Sequence, residues 1–252
     1  MVRGVSAPQA VTGPPDFIGV GAQRSGTTWW FELLLQHAQI ATSRRGHKEV
    51  HFFDRYGAQP MTDADVARYH KLFLRHPGEV VGEWTPRYML DQWTPRLLHR
   101  AAPDARLLVL LRDPIERFRS GVLHRAVRTP DHALEVMASD AIQRGRYGSQ
   151  VRHLLEYFAP ERVLVLQYER CVAEPVEQYR RTLAFLGVAD DVPRDVTQAR
   201  GESMADDKEP LWPELTLALR TVLDPEVRLL ASLVPDIDLS LWPHFSDLAV
   251  AS

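Results

Sequence analysis

The stretch Phe17-Ile18-Gly19-Val20-Gly21-Ala22-Gln23-Arg24-Ser25-Gly26-Thr27-Thr28-Trp29-Trp30 decides the fold. It opens on a short apolar run, passes through a glycine-bearing loop from Gly21 to Thr28, and continues with Trp29, Trp30, Leu33, Leu34 and His37 at helical spacing. Strand, loop and helix in that order aim the backbone N–H groups of Ser25, Gly26 and Thr27 at one point beside a helix N-terminus. The helix dipole favours negative charge there. Thr27 and Thr28 add hydroxyl donors. The spacing from Gly21 to Gly26 matches a Walker A loop, yet Thr27 stands where the phosphate-bridging lysine belongs. The cation lies inside the loop instead, at Arg24.

Further apolar runs follow at Glu79-Val80-Val81-Gly82, at Arg106 to Leu111 and at Arg162 to Leu166. Apolar throughout rather than alternating, they suit parallel strands buried on both faces. Helical patterns lie between them at about 63–74, 91–101, 115–127, 147–158 and 174–186, with two more near 211–223 and 225–233. This alternation implies an α/β protein: a three-layer, P-loop-type fold whose central, mainly parallel sheet is flanked by helices. Ligands of such folds sit at the carboxyl ends of the strands. The charged stretch 190–210 reads as a disordered loop or a lid.

A chain of 252 residues with 45% hydrophobic content can bury one sizeable core. Residues 1–16 are expected to be a flexible leader and 17–252 a single domain. A net charge of −3 gives no broad reason to expect a nucleic-acid partner, so anion binding must be local. Apolar runs are strand-sized, and no membrane span is expected. The single cysteine, Cys171, excludes an internal disulfide and fits packing in a reducing, cytoplasmic setting. Three lysines against twenty-seven arginines, with no asparagine, suggest GC-rich coding and a bacterial source. Nothing in the sequence reports the oligomeric state.

Two further segments carry chemistry. Arg112-Asp113-Pro114-Ile115-Glu116-Arg117-Phe118-Arg119-Ser120 follows an apolar strand and opens a helix, which puts Arg112 at a strand's carboxyl end; Ser120 is placed on a helix face that Glu116 and Arg117 can share. Lys48-Glu49-Val50-His51-Phe52-Phe53-Asp54 sets titratable groups beside two aromatics, and shielding by Phe52 and Phe53 is expected to raise the Glu49 pKa into a range useful for a base. His47, Glu49 and His51 lack the His-Glu-x-x-His order of a zinc helix, so no metal is expected.

The segment Gln23 to Trp30 resembles the 5′-phosphosulfate loop of sulfotransferases that use 3′-phosphoadenosine-5′-phosphosulfate (PAPS), many of which carry lysine where this chain has Arg24. Arg112 and Ser120 resemble the family's 3′-phosphate motif. Lys48 to Asp54 resembles a segment of the heparan sulfate branch. The resemblance implies PAPS as co-substrate and sulfonate transfer to a hydroxyl, less readily an amine, of a carbohydrate, glycolipid or secondary-metabolite acceptor. Carried over, Gln23, Arg24, Ser25, Gly26, Thr27, Thr28, Arg112 and Ser120 bind the donor. Glu49 is the base, with Arg24 and His51 as catalytic partners. Lys48, Asp54, Trp84, Arg87 and Tyr147 are candidate acceptor contacts; Trp84 replaces a lysine of the family's Glu-Lys-Thr/Ser-Pro segment. Arg200-Gly201-Glu202-Ser203 falls where the family's adenosine-covering loop lies. Two other readings stand beside this one. A P-loop kinase or nucleotidase would use Asp113 for magnesium, and a non-catalytic nucleotide sensor would lack a working Glu49 or Arg24.

Overall fold

The computed structural model describes residues 9–128, 134–196 and 211–251. Five parallel strands form the central sheet in the order β3-β5-β2-β6-β7. They are β2 (Phe17–Gly21), β3 (Ile40–Thr42), β5 (Val80–Trp84), β6 (Arg106–Leu111) and β7 (Val163–Gln167). Outside the sheet, β1 (Val11–Thr12) pairs antiparallel with β4 (Leu74–Arg75). The helices are α1 (Thr27–Leu34), α2 (Asp63–His70), α3 (Thr94–Ala101), α4 (Pro114–Arg128), α5 (Leu134–Arg144), α6 (Tyr147–Leu155), α7 (Tyr168–Ala173), α8 (Pro175–Leu186) and α9 (Pro213–Leu233).

The apolar strands build two cores because successive side chains point to opposite faces. Phe17, Leu108, Leu110, Leu164 and Leu166 meet Trp30, Leu33, Leu34, Tyr179 and Leu183 of α1 and α8 on one side. Ile18, Val20, Leu107, Val109, Leu111 and Val165 meet residues of α3, α4, α6 and α9 on the other. The three layers expected from sequence are present, and the strand ends of β2, β5 and β6 share one edge.

Several expectations differ in detail. Val11–Thr12 lies in a strand, and Asp16 binds Arg75 Nε at 2.8 Å and the Val81 amide at 2.8 Å, so the end of the expected leader is tied to the domain. The expected break at Pro225 does not occur. Helix α9 runs through it, because Leu219, Leu223, Val227 and Leu230 make one buried face and their burial outweighs a lost backbone bond. Strand β3 and helices α5 and α7 carry too short or too mixed a pattern to be read from periodicity. Among the described residues, no helix is long and apolar enough to cross a membrane.

Trp84 is the largest departure. Rather than facing the acceptor, it is fully buried, and its indole N–H donates to Gly21 O at 3.1 Å. A Cβ on Gly19 would stand 2.0 Å from the indole, so glycine there is a packing requirement. Gly19→Ala is expected to cost ~1–3 kcal/mol through overpacking. Pairing it with Trp84→Leu should recover part of that loss in denaturant melts. Equal stability of Gly19→Ala and wild type would contradict this packing.

Candidate active site

The loop between β2 and α1 is shaped by its own residues. Gly26 has φ of 86°, and a Cβ there would press on the Tyr168 ring at 2.7 Å; both facts call for glycine. Ser25 is fully buried beside the Tyr147 phenol. An anion seated on the loop would add an acceptor for its hydroxyl. Thr27 is buried at the start of α1, while Gln23 and Thr28 are exposed and Arg24 is partly so.

Arg24 Nε donates to Ser120 Oγ at 3.2 Å across 96 residues of chain. The loop and the segment after β6 therefore form one site. Asp113 caps α4 by accepting the Ile115 and Glu116 amides at 2.9 and 3.1 Å, and its other oxygen accepts the His244 amide at 3.0 Å. Arg112 rests over the Tyr168 ring, 5.1 Å from its centroid, and stands 3.7 Å from Glu116. Glu116 also binds Arg119 at 2.6 Å and His244 at 3.1 Å. Arg117 is buried and donates to Ala141 O under α5. Position 117 is about 100° round the helix from 116, and packing against α5 draws its side chain inward.

Lys48 brings a second cation to the loop. Its ammonium donates to Thr27 Oγ1 at 3.1 Å and Thr28 Oγ1 at 2.9 Å, and stands 3.1 Å from Glu49 Oε1. Burial pushes the Lys48 pKa down against the pull of Glu49 and Glu32. Expected at the acceptor, Lys48 instead reaches the phosphate loop from the side. The absent Walker lysine at Thr27 was the one sequence signal bearing on it, since Lys48 reaches the hydroxyl at that position.

From Glu49 a polar chain runs outward. Glu49 Oε2 meets His51 Nε2 at 3.0 Å, and His51 Nδ1 meets Asp54 Oδ2 at 2.9 Å. Arg87 pairs with Asp91 at 2.8 Å and stands 3.9 Å from Asp54. Phe52 and Phe53 do not shield Glu49. Both rings are buried against Tyr69, and the Glu49 side chain is 37% exposed. Burial pushes another carboxylate, Glu83, up to about 7, and sequence reasoning gave it no role. Its signal was an acid at the end of an apolar strand.

Tyr147 also lies inside rather than at an acceptor surface. It opens α6 fully buried, packs on Trp242 with ring centroids 6.3 Å apart, and burial pushes its phenol up to about 12. The expected adenosine-covering residues Arg200 to Ser203 lie outside the described residues. Among the described residues, no group of three or more His, Cys, Asp or Glu is arranged to hold a metal ion.

Known proteins resemble this chain in sequence and in fold. Residues 14–208 match the sulfotransferase domain family. Human heparan sulfate glucosamine 3-O-sulfotransferase 6 is 30% identical over 187 residues, covering 69% of this chain and 52% of that protein. The membrane-associated sulfotransferase kil1 of Dictyostelium discoideum is 35% identical over 107 residues, 41% of this chain and 21% of that protein. The chain thus spans about half or less of the length of these curated relatives. The crystal structure of a sulfotransferase from Alicyclobacillus acidocaldarius superimposes with a TM-score of 0.70 at 26% identity, covering 90% of this chain and 98% of that one. With a three-layer parallel fold, a phosphate loop joined to the Arg112–Ser120 segment, and a family match across most of its length, the chain belongs to the sulfotransferase domain family.

Proposed function

We propose that this chain transfers the sulfonate group of PAPS to a hydroxyl of a carbohydrate-type acceptor by in-line displacement. The observation that carries this reading is the Arg24–Ser120 contact, which merges a 5′-phosphate loop with a segment suited to a 3′-phosphate. Ser25, Gly26, Thr27 and Thr28 would hold the 5′-phosphosulfate, with Arg112 and Ser120 on the 3′-phosphate.

Glu49 takes the acceptor proton, and the acceptor oxygen attacks sulfur. The sulfur–oxygen bond to the 5′-phosphate breaks, leaving its electron pair on the phosphate. Lys48 and Arg24, with the loop amides, stabilise that charge. His51, between Glu49 and Asp54, fixes the base and can share its proton. The donor carries its own leaving group, so no step calls for a metal. A small cavity of about 40 Å³ beside Arg24 is lined by Gln23, Arg24, Arg117, His124, Asp140 and Arg144. The similarity to heparan sulfate 3-O-sulfotransferases favours an anionic glycan as the acceptor. A cytoplasmic setting and a bacterial source belong to the same proposal, supported by the lone buried cysteine and the arginine-rich composition.

The kinase alternative loses its magnesium ligand. Both oxygens of Asp113 already accept backbone amides, and Thr27 is the residue at the Walker lysine position.

Turnover of sulfur-35-labelled PAPS on a heparan-type oligosaccharide tests this reading. Glu49→Gln is expected to lose ~10²–10⁴-fold in kcat, with calorimetric affinity for adenosine 3′,5′-bisphosphate (PAP) unchanged. Full activity in Glu49→Gln together with loss in His51→Ala would transfer the proton role to His51. Lys48→Ala should lower kcat by ~10²-fold or more through lost charge stabilisation, with Lys48→Arg recovering part. Wild-type rates in Lys48→Ala would remove Lys48 from the donor site.

A further inference from the structure

Glu83 ends an otherwise apolar stretch of β5 and is fully buried, yet its partners are all neutral donors. It accepts the Thr85 hydroxyl at 2.6 Å, the Tyr69 hydroxyl at 2.7 Å, the Val50 amide at 3.1 Å and the Tyr88 hydroxyl at 3.3 Å. A carboxylate buried without a cation is expensive, so its retention asks for a use.

Two of those donors also hold backbone. Thr85 Oγ1 accepts the Val50 amide at 3.0 Å and the His51 amide at 3.4 Å, and the Tyr88 hydroxyl accepts the Phe52 amide at 2.9 Å. Three successive amides therefore end on Glu83, directly or through one hydroxyl. They follow Glu49 immediately, and the middle one belongs to His51, whose φ of 53° lies in the left-handed region. A side-chain-bearing residue stays there only when its surroundings hold it.

We propose that Glu83 is a positioning residue: its ionised carboxylate fixes the Val50–Phe52 backbone and thereby aims Glu49 and His51 at the acceptor hydroxyl. The functional half of this inference rests on Glu49 as the base. Ionised, Glu83 accepts all four hydrogen bonds. Protonated, it becomes one more donor facing Thr85 and Tyr88, whose oxygens already serve the loop amides, and the clamp loosens.

The ionisable groups in contact with Glu83 are Tyr69 from α2 and Tyr88 from the turn after β5; burial and the Glu83 charge push both phenols well up, so both stay neutral donors. Lys48, Glu49, His51 and Asp54 lie along or beside the loop that Glu83 holds. Burial pushes the Glu83 pKa up to about 7 against those hydrogen bonds. Because the clamped form is the ionised one, turnover falls as pH drops through about 7.

Amide hydrogen exchange on the full chain, corrected for intrinsic rates, tests the clamp without relying on turnover. In Glu83→Gln and Thr85→Val, the Val50, His51 and Phe52 amides are expected to exchange ~10- to 100-fold faster, the consequence of losing one or two buried hydrogen bonds. Exchange in β2 and β6 and affinity for PAP should not change. With PAPS and a heparan-type oligosaccharide, kcat should fall by ~10²-fold, as for a small misplacement of reacting groups. KM for PAPS should hold, and Glu83→Gln should lose the acid limb of the kcat profile. If Glu83→Gln does not fold, Thr85→Val and Tyr88→Phe carry the comparison. Wild-type exchange at these amides in the variants, or an intact acid limb in Glu83→Gln, would overturn the proposal, and so would acceleration spread evenly over the sheet. A wild type that transfers no sulfonate would instead defeat the enzymatic reading, and the exchange data would still decide whether Glu83 clamps the loop.

Discussion

At the carboxyl end of β5, Trp84 makes two hydrogen bonds in different directions. Its backbone N–H donates to Lys48 O at 2.9 Å, and its indole N–H donates to Gly21 O at 3.1 Å. One residue thus fixes the distance between the phosphate loop and the segment that carries the base. The indole fits because Gly19 leaves room beneath it. Positions in catalysis tolerate little slack, since small misplacements of reacting groups are paid in rate. The rest of the site inherits its registration from this junction: Lys48 reaches Thr27 and Thr28, and Glu49 lies beside Lys48.

Three of the site's cations have a hydroxyl or a ring face among their partners. Arg24 leans on a serine hydroxyl, Lys48 on two threonine hydroxyls as well as Glu49, and Arg112 on an aromatic face with Glu116 3.7 Å away. Hydroxyls and ring faces hold a guanidinium or ammonium more weakly than a close carboxylate does. An incoming phosphosulfate can compete for these hydroxyl and ring contacts. Two buried carboxylates serve the backbone instead, Asp113 as a helix cap and Glu83 behind the base.

The sheet was legible because its strands are apolar on both faces, a pattern that Phe17 to Val20 and Leu107 to Leu111 show without ambiguity. The phosphate loop and the Arg112–Ser120 segment were legible because their chemistry is local. What could not be read was which side of the chain a residue faces once tertiary packing decides. Trp84, in a position that resembles a family lysine, turned inward. Tyr147 was buried, Phe52 and Phe53 left Glu49 in partial contact with solvent, and Arg117 went under α5. Glu83 was overlooked for the same reason, since its partners Tyr69 and Val50 come from other parts of the chain.

The two-phosphate site is most directly tested by calorimetric titration of PAP, 5′-AMP and magnesium ATP on the full chain. The Arg24–Ser120 junction predicts that PAP binds tightest. AMP should bind at least ~10-fold more weakly, because charge-assisted bonds to the 3′-phosphate are each worth ~1.5–3 kcal/mol. Binding of magnesium ATP as tight as or tighter than that of PAP would contradict the account.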